Sequence, residues 1–220
     1  MKREIIITHD GSKTIHIPDL NENYHSGHGA LQEAVHVFIE NGLKSLESEH
    51  VSVFEMGFGT GLNAYLAMIF ADESHKMIHY TGVEAFPLQT ELISQLDYPE
   101  LVNRKLESAF LKMHELEWGS AHQITRHFCF TKLHQKIEDF TPGKEAFDLV
   151  FYDAFGPRAQ EEMWKTDILH KMWYLLKSGG VLVTYCARGQ FRRDLISLGF
   201  EVDRLPGPPG KREMIRAVKR

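Results

Sequence analysis

Long apolar runs are missing from this 220-residue chain. No stretch reaches eighteen apolar residues, so no membrane-crossing helix is expected. The opening MKREIIITHDGSK has no extended apolar segment and no small-residue cleavage site, which argues against a secretory leader. Cysteine is scarce. Cys129 and Cys186 fall in or beside strand-like runs and read as buried thiols of a cytoplasmic protein, not as a disulfide. There is no Gly-Lys-Thr phosphate loop, no Ser-His-Asp arrangement and no internal repeat. Thirteen histidines are present, and His25 and His28 stand three apart. No Cys or Asp/Glu pair at ligand spacing completes a set, so no metal is expected.

Charge is unevenly placed. From Cys186 to Arg220 there are nine Lys/Arg against four Asp/Glu, while the remainder holds sixteen against twenty-six. A basic end on an acidic body suits either a local phosphate-binding face or a solvated surface.

What is present alternates between strand-like and helix-like runs. IIITHDGSKTIHI has a turn signal at Asp10-Gly11 and predicts a hairpin. GALQEAVHVFIENGL places Leu31, Ala34, Val35, Phe38 and Ile39 at helical spacing. Residues 1–48 read as a decoration on a main unit of 49–220. In that unit VSVFE, MIHYTGVE, HQITRHFCF, FDLVFYD and VLVTY predict strands. LNAYLAMIFA, PLQTELISQL, the stretch 98–118, EMWKTDILHKMWYLL closed by Gly179-Gly180, and QFRRDLISLGF predict helices. FEVDRL and EMIRAV follow one another without a helix, across the stiff PGPPG loop. The expectation is an α/β fold with a mostly parallel, doubly wound sheet and an antiparallel last strand. Trp164, Met172, Trp173 and Leu176 recur at helical spacing and are expected in the core.

Two sequence features carry chemistry. FEMGFGTGLN follows a strand and opens a helix, with Glu55, Gly57, Gly59 and Gly61 at a spacing of two. This differs from the dinucleotide fingerprint. It resembles the first motif of Rossmann-like class I S-adenosylmethionine-dependent methyltransferases. Glu84 closes the next strand 23 residues past Gly61, where a carboxylate can accept from both hydroxyls of a ribose. After the third strand, where such enzymes often carry an acid toward adenine, this chain has Lys132 and Leu133. A backbone carbonyl near Leu133 is the candidate contact there. The second feature is FDLVFYDAFGPR, 147–158. Its aspartate, Asp153, suits a helix cap, a turn or a reaction centre. Beside a methyl donor it would orient an amine and accept its proton, with Phe155 stacking on a flat substrate and Pro157 stiffening the loop.

MGFGTGLN, TGVEAFPL, DAFGPR with EMW, and PGKREM together resemble the methyltransferase component of MnmC, including its free-standing homologues. The likeness extends to the early NYHSGHGALQEAVHVF. It implies S-adenosyl-L-methionine as cofactor and N-methylation of the 5-aminomethyl group of a (2-thio)uridine at the tRNA wobble position. By that resemblance Gly57, Phe58, Gly59, Gly61 and Asn63 line the cofactor, Glu84 holds its ribose and Asp153 is catalytic. Tyr24, Glu33 and Glu55 are further cofactor candidates. Phe155, Pro157, Arg158, Lys211 and Arg212 are expected on the substrate side. Arg188, Arg192 and Arg193 join the last two as contacts to anticodon-arm phosphates. The bifunctional relatives continue into an FAD-dependent oxidase domain, and none is expected here. Rival readings are a polyamine-type aminopropyltransferase, whose second acid is lacking before Glu161, a small-molecule N-methyltransferase, and a non-catalytic RNA-binding module.

Overall fold

The computed structural model describes residues 2–141 and 143–220. β1 (Glu4–Ile7), β2 (Lys13–Ile17) and β3 (Glu22–Asn23) form a small antiparallel sheet. α1 (Ala30–Ala34) follows and widens into a π-helical turn over Val35–Glu40. Then come β4 (His50–Met56), α2 (Leu62–Ser74), β5 (Met77–Glu84), α3 (Thr90–Ile93), α4 (Tyr98–Leu101), α5 (Glu107–Glu115), β6 (Ala121–Gln123) and β7 (Phe128–His134). β8 (Phe147–Tyr152), α6 (Thr166–Leu175), β9 (Leu176–Thr184), α7 (Gly189–Ser197), β10 (Phe200–Pro206) and β11 (Glu213–Lys219) complete the chain.

The main sheet runs β10-β11-β9-β8-β4-β5-β7-β6. Neighbours from β9 through β7 are parallel, and β11 lies antiparallel between β9 and β10. Central strands covered on both faces take near-continuous apolar runs. Accordingly Val53, Phe54, Leu149, Val150, Phe151 and Tyr152 are all fully buried. Successive residues serve opposite layers. Val53, Leu149 and Phe151 pack with α1, α2 and α5, while Phe54, Val150 and Tyr152 pack with α6 and α7. Helix α2 is buried on nearly all sides, Leu62 through Ile69, which fits its place against the sheet centre. Phe38 from the N-terminal segment lies against Phe151 with ring centroids 4.9 Å apart.

Several elements differ from expectation for local reasons. The Asp10-Gly11 turn is a five-residue connection over Thr8–Ser12, because the Asp10 carboxylate accepts from the Ser12 N–H and the Thr8 hydroxyl. The helix expected over 98–118 breaks into α4 and α5. Between them Asn103 is extended, and its carbonyl is tied to the Tyr65 hydroxyl at 2.8 Å. HQITRHFCF folds back on itself as β6 and β7. Helix α3 is one turn long. Gly179-Gly180 does not close α6. The helix ends at Leu175, and the glycines sit in β9 at a register shift against β8, with Gly179 at φ 77°.

Phe151→Ala should lower stability by about 3–5 kcal/mol through the cavity left between β8 and the N-terminal segment. Equilibrium denaturant unfolding measures it.

Candidate active site

The carboxyl ends of β4, β5 and β8 are laced together by backbone. The N–H groups of Gly57 and Phe58 donate to the Val83 carbonyl at 3.0 and 3.1 Å, and the Asp153 N–H donates to the Met56 carbonyl at 3.2 Å. Gly57 has φ 94°, and a Cβ there would lie 2.5 Å from the Asp153 carbonyl oxygen. A side chain at this position would push the two strand ends apart. The Gly59 N–H then points at Glu84, donating to Oε2 at 2.9 Å, while the Phe86 N–H donates to Oε1 at 2.8 Å. Both carboxylate oxygens are thereby fixed, and each keeps acceptor capacity.

These ends surround a cavity of about 220 Å³. Of the residues singled out in the sequence, Tyr24, Gly57, Phe58, Gly59, Asn63 and Glu84 line it, as do Asp153 and Phe155. The Phe155 ring meets Tyr24 edge-on at 4.9 Å, and its carbonyl accepts from the Trp164 indole at 2.8 Å. Trp164, Met172 and Leu176 are buried in the core, and Trp173 packs against it.

Other candidates lie elsewhere. Gly61 starts α2 behind the cavity wall. Leu133 pairs with Val83 inside β7, which runs one residue further to His134, and its half-buried side chain packs against the core. The segment that reaches the cavity from this side is Gln135–Glu138, including Ile137. Lys132 is buried, donating to the His114 carbonyl with its ammonium 4.5 Å from the Trp118 ring centre, and burial lowers it to about 8. Glu33 is buried outside the cavity lining. It accepts from the Ser26 N–H at 2.9 Å and pairs with Lys211. Lys211 is therefore engaged internally, with its ammonium also 3.7 Å from the Tyr185 ring centre. Tyr185 in turn donates to the Ala154 carbonyl at 2.7 Å. Pro157, Arg158 and Arg212 are outside the lining too, and both arginines are exposed.

Arg3 and Phe86 line the cavity without having been anticipated. The Arg3 guanidinium donates to the Phe86 carbonyl at 3.0 Å, and Phe86 itself is 52% exposed. Phe86 had a signal, since it follows Glu84 by two positions. Arg3 had none, being carried in by the hairpin.

The acid–amide centre decides the electrostatics. The Asn63 amide nitrogen donates to Asp153 Oδ2 at 2.8 Å and to Glu55 Oε1 at 2.9 Å. Burial raises Asp153 to about 7; the Glu33 charge adds to the rise, and Asn63 and Lys211 oppose it. Glu55 is fully buried and pushed well above the usual carboxylate range, by burial first and by Asp153 second. Among the described residues no group of three or more His, Cys, Asp or Glu is placed to hold a metal, and no helix is long and apolar enough to cross a membrane.

A family model described as S-adenosyl-L-methionine-dependent methyltransferase matches residues 98–220, and the chain belongs to that family. Its cofactor is S-adenosyl-L-methionine. Similar curated proteins are named tRNA 5-methylaminomethyl-2-thiouridine biosynthesis bifunctional protein MnmC. The one from Cupriavidus metallidurans is 29% identical over 96% of this chain and 33% of its own length. The one from Aromatoleum aromaticum is 32% identical over 90% of this chain and 32% of its own. The chain thus spans about a third of the length of these relatives. A solved structure, MnmC2 from Aquifex aeolicus, superposes with a TM-score of 0.75 at 23% identity, covering all of this chain and 70% of that one, and shares the fold. The residues present fit the cofactor: a glycine-walled cradle beside a carboxylate fixed by two N–H groups, with Phe86 and Ile137 offering apolar surface for an adenine.

Lys211→Met should destabilise the fold by about 3–5 kcal/mol, because it strands the buried Glu33 carboxylate. Adding Glu33→Gln should recover part of that loss. Thermal unfolding of the two variants checks both.

Proposed function

We propose that this chain methylates the primary amine of 5-aminomethyl-(2-thio)uridine at the wobble position of tRNA. The observation that carries the reading is the placement of Asp153. Its carboxylate lines the same cavity as the glycine turn and Glu84, and Asn63 holds one of its two oxygens. The cofactor supplies an electrophilic methyl group on a sulfonium centre. Glu84 is suited to hold its ribose diol and the Gly57–Gly59 turn to admit its backbone-like portion. Asp153 accepts an N–H of the incoming amine, orients the nitrogen and receives its proton. Phe155 and Tyr24 provide an aromatic corner for the unstacked base, the usual means of single-stranded RNA recognition.

The names of the similar proteins support the tRNA substrate. So does the topology. Arg158, Arg188, Arg192, Arg193 and Arg212 follow the carboxyl ends of β8 and β9 or sit in the β10–β11 loop, all at the cavity's edge of the sheet. They are the candidate phosphate contacts, with Lys211 withdrawn from that role by Glu33. The proposed tRNA substrate supports a cytoplasmic location.

Labelled S-adenosyl-L-methionine, incubated with tRNA from cells lacking the modification, should give label in the wobble nucleoside. Label only in a free diamine or other small amine would overturn the tRNA reading. In that assay Asp153→Ala should keep cofactor binding and lose about 10²–10⁴-fold in turnover. The wild-type rate should fall as pH drops through about 7, because a protonated Asp153 no longer accepts. Arg188→Ala with Arg212→Ala should lessen the slope of log affinity against log salt by about 1–2, read by filter binding.

A further inference from the structure

Glu55 opens the glycine-turn sequence yet stays out of the cavity. It lies on β4, fully buried beneath the turn. One hydrogen of the Asn63 amide goes to Glu55 and the other to Asp153. Two acceptors on the nitrogen side fix which way this amide faces, so its oxygen turns away. That oxygen is buried and meets no donor among the described residues. The second Glu55 oxygen, Oε2, also meets none. The titratable groups that act on Glu55 are Asp153, the Tyr80 hydroxyl and Glu84, none of them a cation. Tyr80 is itself buried beside Glu55, and a hydrogen bond from its hydroxyl to the ionised carboxylate opposes the rise in Glu55 without overcoming burial and Asp153.

Two ionised carboxylates sharing one amide would repel each other, and no cation acts on the buried Glu55 to offset its charge. A proton on Glu55 removes the repulsion. The Asn63 amide then joins a neutral acid at one end to an ionisable one at the other. We propose that Glu55 is a positioning residue: holding a proton, it grips Asn63, and Asn63 aims Asp153 at the cleft. This rests on the reading of Asp153 as the group that receives the amine. It replaces the expectation, drawn from the glycine-turn motif, that Glu55 contacts the cofactor. The direction of its titration agrees, as does the contrast with Asp153, which Lys211 and Asn63 hold lower against burial and Glu33.

The test compares wild type with Glu55→Gln by infrared difference spectroscopy at about pH 9, roughly two units above the Asp153 value, where that aspartate is ionised. The expected difference is the C=O band of one protonated carboxyl, present in wild type and lost in the variant. S-adenosylhomocysteine binding by calorimetry should stay within about twofold of wild type in Glu55→Gln, since a neutral isostere replaces a neutral acid. Glu55→Ala should retain that binding, lower turnover about tenfold or more, and move the midpoint of the pH–rate profile upward as Asn63 loses its anchor. Absence of the band, or a tenfold loss of S-adenosylhomocysteine affinity in Glu55→Gln, would overturn the proposal and make Glu55 an ionised cofactor ligand. The infrared and calorimetric readings need no acceptor, so they stand apart from any failure of the tRNA assay.

Discussion

The site depends on how closely two parallel strands end side by side. β4 and β8 pair in register up to Met56 and Tyr152, and the next residues, Gly57 and Asp153, leave the sheet together. The space between them is so small that a Cβ on Gly57 would meet the Asp153 carbonyl at 2.5 Å. That contact lets one turn serve two purposes. Its N–H groups reach across to Val83 and Glu84 on the other side, while its open face adjoins Asp153. A wider junction would separate the carboxylate suited to a ribose from the carboxylate suited to an amine. Proximity of the two bound reactants is the main thing such a transfer needs from a protein.

The two ends of the chain then close the site. Arg3 and Tyr24 line the cavity from the N-terminal sheet and the loop after it. The β10–β11 loop is held against the N-terminal segment by the Glu33–Lys211 pair and by His36, whose ring nitrogen lies 2.8 Å from the Pro206 carbonyl. Lys211 is therefore better understood as a strut than as a surface cation. It neutralises a buried acid, covers the Tyr185 ring and, through the Tyr185 hydroxyl, bears on the Ala154 carbonyl next to Asp153.

What the sequence disclosed and what it hid divide along contact distance. The glycine turn, Glu84 and Asp153 were legible because each is a local event, a strand giving way to a turn within a few residues. The mostly parallel, doubly wound sheet with an antiparallel last strand followed from the same alternation. On the adenine side the strand end lies one residue beyond Leu133, at His134, a boundary that sequence leaves uncertain. Gly179-Gly180 carried the same local signal for a helix cap and for a strand bulge, and only pairing with β8 separates them. The Glu33–Lys211 pair spans 178 residues and left no trace in spacing. Nor did the division of labour between two acids of one site, Glu55 beneath the turn and Asp153 at its mouth, because it depends on a single amide from α2.

That division matters for an amine acceptor. The proposed primary amine would arrive largely as an ammonium ion, at a cleft lined by Glu84, Glu138, Glu162 and Asp153 against Arg3 and Lys136. The ion has no lone pair to offer until it loses a proton. A strongly acidic Asp153 would hold the ammonium as a salt bridge and leave it unreactive. A fully protonated one would repel nothing and accept nothing. Burial and Glu33 pull Asp153 upward, Lys211 and Asn63 pull it down, and the balance falls at about 7. Near that value the carboxylate is charged often enough to attract the ion and basic enough to take its proton. The elements that set the balance come from α1, α2 and the β10–β11 loop, so the acidity of one side chain is fixed by both ends of the chain and by the helix that follows the glycine turn.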